Sequence, residues 1–247
     1  MDRSVRERAK AIVALDLGPE ASPGTLKLAE NASATVDGCS LISFTSNVSV
    51  EHRKDVLYSV LLSQLVANRK HNRQNDAKNW YAFYAATLEQ VGWVVVEQTG
   101  FSHFFPPATR FTASSVITGL LEQIASDQEM LAVEGALNTL RQLDDQDATA
   151  LLFERESHVG GIGNFQVAAV SELDGNVIMK IGRFYFRTNA IISRLLFADF
   201  PLDAEFFRGL QILQLNEEVY APLRQDVIGK LNNRPDTLIQ PLPDFAE

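Results

Sequence analysis

The sequence predicts an α+β chain of layered α/β type: an antiparallel β-sheet flanked by two α-helical hairpins, with a further helix near the C-terminus. Three observations carry that reading. Residues 49–91 hold two apolar stripes at helical spacing separated by a short basic turn, which is the signature of an antiparallel helix pair. Residues 112–140 repeat the arrangement with their own start signals. From Ala148 onward the apolar period shortens to two, and the chain becomes a succession of strands and tight turns.

Taken in order, residues 1–40 read as a partly ordered, extended arm, punctuated by Gly18-Pro19, Pro23-Gly24 and Asp37-Gly38. Leu41-Ile42-Ser43-Phe44 can add an edge strand. Ser49 is placed to cap a helix carrying Val56, Leu57, Val60, Leu61 and Leu65 on one side. After the basic turn 68–73, Asp76 opens a second helix in which Trp80, Tyr84, Leu88 and Val91 align, and Gly92 supplies its left-handed end. Trp93-Val94-Val95-Val96 is apolar and β-branched enough for a strand in the sheet interior. Thr112 caps a third helix, and Ser126 with Glu129 forms a capping box for a fourth; the two could also be one kinked helix.

Leu151 and Phe153 then begin a strand, and Gly160-Gly161-Ile162-Gly163 turns it into the next, with Phe165, Val167 and Ala169 alternating. Asp174-Gly175 is a two-residue hairpin signal. Gly182 marks a bulge after Val177, Met179 and Ile181, with Phe184 and Phe186 on a shifted face. Ser193–Phe200 and Phe206–Leu215 form a further hairpin about Pro201. Asn216 caps a last helix, and residues 235–247 leave as an extended tail. Because the strand at 93–98 must pair with the later strands, residues 41–234 are expected to make a single α/β domain.

With 247 residues, 46% of them hydrophobic, the chain is long enough to bury a sizeable core without disulfides. Its one cysteine, Cys39, cannot form an internal disulfide and reads as a packed small residue rather than a nucleophile or an acylation site. A balance of 22 basic against 31 acidic residues, net −9, argues against phosphate-backbone binding as the main job, and no nucleic-acid partner is expected. The N-terminal residues are too charged for a secretory signal, and no apolar run reaches the length of a membrane span. The expectation is a soluble protein made in the cytoplasm, which leaves its cell, if at all, without a cleaved signal.

Chemistry-bearing groups are sparse. Glu154, Glu156 and His158 alternate on the strand expected at 151–158, so two carboxylates and an imidazole share one face beside a glycine-rich turn. The plainer reading is a solvent-facing row of charges, and no metal-binding helix motif is present. Gly160-Gly161-Ile162-Gly163 is followed by a strand, not a helix, which excludes a dinucleotide loop. Trp80, Tyr84 and Trp93 are candidates to line a ligand pocket between the aromatic helix and the sheet, although rings at helical spacing usually form core. Arg69, Lys70 and Arg73 in the basic turn, and Phe101, Phe104 and Phe105 in the aromatic link before Pro106-Pro107, are candidates for contact with a membrane or a partner. No cofactor and no metal is expected.

The order of elements over residues 49–233, a helical hairpin, a strand, a second helical hairpin and then amphipathic strands, resembles the Cyt family of cytolytic δ-endotoxins. Asn79-Trp80-Tyr81, Trp93 and the stretch Ser157-His158 to Phe165-Gln166 also look like segments of uncharacterised bacterial and fungal proteins. No family signature transfers residue by residue, and the N-terminal arm has no obvious protease-sensitive pro-segment. The resemblance implies a non-enzymatic, membrane-active or pore-forming protein, toxin-like, soluble at rest and able to oligomerise on lipid. A second expectation is an effector-type module binding a small molecule or a protein in the aromatic pocket. A third is a hydrolase using Glu154, Glu156 or His158.

Overall fold

The computed structural model describes residues 3–19, 32–106 and 110–243. Its elements in chain order are α1 (Arg3–Ala14), β1 (Ala34–Asp37), β2 (Ser40–Phe44), α2 (Val50–Lys70), α3 (Ala77–Val91), β3 (Trp93–Gln98), β4 (Ser102–His103), β5 (Phe111–Thr112), α4 (Ala113–Leu121), α5 (Asp127–Gln142) and α6 (Ala148–Ser157). There follow β6 (His158–Val159), β7 (Ile162–Leu173), β8 (Asn176–Arg187), β9 (Asp199–Phe200), β10 (Glu205–Leu215), α7 (Glu217–Tyr220), α8 (Arg224–Leu231), α9 (Pro235–Leu238) and β11 (Ile239–Pro241). The main sheet runs β11-β1-β2-β7-β8-β10-β3, with β4 beside β10 and β6 beside β7. Every pairing is antiparallel except β2 with β7.

Both faces of this sheet are covered, which makes three layers. Helices α1, α2, α3 and α8 bury Trp80, Tyr81, Tyr84, Trp93, Val177, Met179 and Ile181 on one face. Helices α4, α5 and α6, with the segment 192–200, bury Phe153, Phe165, Phe184, Phe186, Phe200 and Phe206 on the other. The alternation of β8 explains the division: odd positions 177 to 181 face the first layer, and Phe184 and Phe186 face the second. Fully burying a side chain of this size stabilises by about 1.5–3 kcal/mol, so each cover is held by many such contributions.

The local start and stop signals act as the chain suggests except at Asp76, which precedes α3 without a side-chain cap hydrogen bond, its carboxylate meeting His71 and Asn79 instead. Ser49 Oγ accepts from His52 N at the head of α2. Ser126 and Glu129 close a reciprocal capping box on α5. Gly92 ends α3 at φ 116°, and Asp174 and Gly175 both take positive φ, as a two-residue turn with the twist of the β7–β8 hairpin requires. The third and fourth helices are separate, with a turn over 122–126 between them.

Elsewhere the structure corrects the sequence pattern. Residues 3–14 are helical and 34–37 a strand, not an extended arm; residues 1–2 and 20–31 of the arm lie outside the described residues. Strand β2 is interior, since β1 and β11 lie beyond it, and β3 is the edge. The run Trp93–Val96 reads as interior because it is β-branched, yet Val94 and Val96 lie on a side that no helix covers.

Residues 148–157 form α6 rather than a strand. Asp147 Oδ1 accepts from Thr149 N and Ala150 N, and that N-cap outweighs a two-residue apolar alternation. Gly182 makes no bulge: its register to Val167 and Leu210 is unbroken, and a Cβ there would lie 2.9 Å from the Phe184 ring. Of Ser193–Phe200 only β9 is extended, and it pairs with β5, while β10 pairs with β8. Pro222 breaks the last helix into α7, a 3-10 turn at 221–223 and α8. The tail supplies a short helix and the edge strand β11; residues 244–247 lie outside the described residues.

Candidate functional site

The start of β7, the end of β8 and the start of β10 meet at one end of the sheet, because Ile162 pairs with Arg187 and Arg187 with Glu205. Strand β6 and the segment 188–198 extend this end on the α6 side, and the aromatic link 101–106 extends it along β10. Most of the sequence candidates converge here. Between α5, α6 and the segment 192–197 lies a cleft of about 390 Å³ lined by Leu140, Leu151, Phe153, Ile192, Leu196 and Phe197, with Glu154, His158, Arg155, Arg194 and Asp145.

Glu154 and His158 meet one helical turn apart rather than by strand alternation. Glu154 Oε2 lies 3.0 Å from His158 Nε2, and its Oε1 accepts from Leu195 N at 2.8 Å. His158 Nδ1 donates to the Gly160 carbonyl at 3.1 Å. An acceptor at each ring nitrogen favours the protonated imidazole, and the hydrogen bond to Glu154 raises its pKa despite partial burial. Glu156 points elsewhere and pairs with Arg155. Arg194, at φ 55°, donates to the carbonyls of Leu140, Arg141 and Leu143 at the end of α5 and to Asp145. The polar groups of the cleft are thus engaged with one another and pin the segment 192–197 to two helices. What they leave free is apolar wall.

Trp80, Tyr84 and Trp93 do not line this or any other cavity described here; they are fully buried core. Trp80 Nε1 donates to Asn68 Oδ1 (2.7 Å), Trp93 Nε1 donates to Ser59 Oγ (2.9 Å), and Trp80 stacks on Tyr84 at 5.5 Å between centroids. The basic turn separates into three roles. Arg69 pairs with Asp16 of the segment after α1, Lys70 is exposed, and Arg73 turns inward and is buried. The aromatic link divides likewise. Phe101 packs between Tyr81 and Tyr185, Phe104 between Phe111 and Phe206, and Phe105 is 79% exposed. Pro107 lies outside the described residues.

At the same end of the sheet stand Val159 at 66% exposure, Ile191 at 97% and Leu202 at 55%. Val159 and Ile191 adjoin the cleft through His158 and Ile192. Sequence reasoning did not single out these three, because lone aliphatic residues in polar loops carry no pattern; only register brings them together. It also missed a polar seam beneath α2 and α3. Ser40, Gln166 and Arg183 stand in register on β2, β7 and β8, covered by Gln64, Tyr81 and Tyr84. Spread along three distant segments, that row has no local signal.

Among the described residues one trio has metal-ligating geometry, His52, Asp55 and Glu217. Arg224 already holds Asp55 through two 2.8 Å hydrogen bonds and Glu217 through a third at 2.7 Å. A guanidinium occupies the place a cation would take, so the trio reads as an ion-pair network joining α2 to α7 and α8.

Fold and site together define a three-layer α/β/α chain whose sheet ends in an apolar-tipped cleft. No protein-family model matches the chain, and no curated protein matches it. Among solved structures it is similar to one described as "Structure of the Evf virulence factor", at 13% identity and a TM-score of 0.40, over 93% of this chain and 89% of that one. A likeness of that degree carries no argument about chemistry. These comparisons do not show the resemblance to the cytolytic δ-endotoxins drawn from the order of elements.

Proposed function

We propose that this protein attaches reversibly to the surface of a zwitterionic phospholipid bilayer through the loop end of its sheet, as a binding protein and not as an enzyme. One observation carries the reading: Phe105, Val159, Ile191 and Leu202 stand exposed at the same end of the sheet, two of them, Val159 and Ile191, adjoining an apolar cleft. Exposed apolar groups gathered at one place mark partner or lipid contacts, whereas scattered ones need no explanation. Full transfer of such a side chain out of water is worth about 1.5–3 kcal/mol. Three or four of them put attachment in the reversible range of a single acyl chain. The charge of −9 disfavours an anionic bilayer.

The proposal stops at the surface. Among the described residues no helix is long and apolar enough to cross a membrane. Strands β7 and β8 carry Ala168, Val170, Met179 and Ile181 on one face and Phe165, Val167, Phe184 and Phe186 on the other. A membrane hairpin needs one face polar along its length, whereas here polar groups on the first face are confined to one end, at Asn164, Gln166 and Arg183, with Ala168, Val170, Met179 and Ile181 apolar beyond them. The hydrolase reading loses support because both nitrogens of His158 are engaged and Glu156 is turned away. A second reading, an apolar small molecule held in the cleft, is favoured by its aliphatic and aromatic walls. Native mass spectrometry showing a bound molecule on the intact chain would select it.

Co-sedimentation with phosphatidylcholine vesicles tests the lipid proposal. The wild-type chain is expected to pellet with vesicles, and the double variant Phe105→Ser/Ile191→Ser to stay in solution with unchanged thermal stability. Equal partitioning of the two chains, or no wild-type binding, would refute it.

A further inference from the structure

The loop end carries a second hollow, of about 270 Å³, where the head of α3 meets the start of β7, the end of β8 and the start of β10. Tyr185, Phe207 and Ile162 form its apolar wall. Tyr185 and Phe207 stand opposite in the β8–β10 register and stack at 4.5 Å between centroids, 10° from parallel. Both rings are half-buried, and among the described residues no cationic side chain lies over either.

Charges of both signs line the same hollow. Lys78 and Arg187 bring two cations, Asp76 and Glu205 two carboxylates. Asp76 is already engaged, by His71 at 3.0 Å and by Asn79 at 2.8 Å. The other three side chains make no hydrogen bond or ion pair with any described residue, although Arg187 and Glu205 face each other across the β8–β10 ladder. Opposite charges so placed ordinarily gain by pairing. A lone charge in solvent needs no explanation, but two free cations, a free carboxylate and a ring pair around one small space complement a ligand that carries both signs. The hollow is smaller than the roughly 300–1,000 Å³ of sites for drug-sized molecules, so its occupant is small.

We propose that this hollow binds a phosphocholine-type zwitterion, with its phosphate on Lys78 and Arg187 and its quaternary ammonium against Tyr185 and Phe207 beside Glu205. A quaternary ammonium has no N–H to donate, so ring faces and a carboxylate recognise it where hydrogen bonds cannot. An ammonium and a guanidinium are ordinary partners of a phosphate. The site deepens the lipid reading and rests on it for the choice of headgroup. The rings run on from Phe207 to His103 at 5.0 Å and from His103 to the exposed Phe105 at 4.4 Å, so a headgroup seated here brings its lipid beside one of the apolar tips.

The test is isothermal titration calorimetry of the full chain with phosphocholine, choline chloride or sodium phosphate at equal ionic strength. Phosphocholine is expected to bind about tenfold tighter than choline or phosphate, because it alone meets both halves of the site. Lys78, Arg187 and Glu205 are exposed, so substitutions there leave the core as it is. Glu205→Gln should bring phosphocholine down to the affinity of phosphate, and Lys78→Gln/Arg187→Gln down to that of choline. Excess phosphocholine should also keep the wild-type chain off phosphatidylcholine vesicles, and sodium phosphate should not. Phosphocholine bound no tighter than its two parts, or equally well by Glu205→Gln, would overturn the proposal. Vesicle binding indifferent to phosphocholine would overturn it too, and would leave the lipid reading standing. Tight phosphocholine binding with no vesicle binding would support the site as a receptor for the free zwitterion and refute the lipid reading alone.

Discussion

His158 shows how a single side chain can hold a surface feature in place. Its cation bridges Glu154, and Glu154 in turn holds Leu195 N, so one pair fixes the segment that presents Ile191. Because the folded pKa is raised, the pair stabilises the fold fully below the unfolded histidine value of about 6.5, and this contribution fades as pH rises through the folded value. His158→Gln is therefore expected to cost about 1 kcal/mol near pH 6. The deficit should shrink toward zero in the alkaline range, read as the difference between the two chains' denaturant unfolding curves. A deficit that grows with pH would contradict the assignment. Glu129 behaves in the opposite sense. Burial pushes its carboxyl up, but Lys180, Ser126 N and Ser171 together bring it below the usual range. The stability it contributes is present above a pH of about 4.3 and is lost as pH falls through its lowered value.

At the scale of elements, legibility in the sequence depended on whether the signal was local. Ser49, Gly92, Ser126 with Glu129, and Asp174-Gly175 act through hydrogen bonds and dihedral angles within a few residues, and each stands where its pattern puts it. Ser126→Ala should accordingly cost about 1 kcal/mol, measured by chemical denaturation. What the sequence could not show was set by contacts distant in the chain. Which strand is at the edge depends on β11 arriving from the C-terminus. Glu154, Glu156 and His158 do not share a strand face: a capped helix brings the first and third together and sends the second away.

The glycine-rich turn matters for a reason that phosphate-loop comparisons miss. A Cβ on Gly163 would lie 2.6 Å from the Ser157 carbonyl and 2.8 Å from the Phe186 ring, where α6 hands over to β6. Gly163→Ala should destabilise by more than about 2 kcal/mol and raise amide exchange across α6 and β6. Wild-type exchange in that variant would contradict the close approach.

Over the whole molecule the two ends of the sheet differ. The end at the Asp174-Gly175 turn exposes Leu173 at 72%, with Leu131 at 68% on the adjoining part of α5, whereas the opposite end carries Phe105, Val159, Ile191 and Leu202, with Val159 and Ile191 adjoining the cleft. Neither cover need open for these tips to act, since they already stand in water. The chain also offers a clean way to report on them. Cys39 is fully buried with its thiol raised to about 11, so it resists labelling in the folded state. An environment-sensitive fluorophore can then be placed on Ile191→Cys, with Leu173→Cys as the internal control, and each chain titrated with phosphatidylcholine vesicles. The loop-end label should shift to the blue and brighten while the label at position 173 stays as it is in buffer. Equal responses at both positions, or none at position 191, would contradict attachment through the loop end.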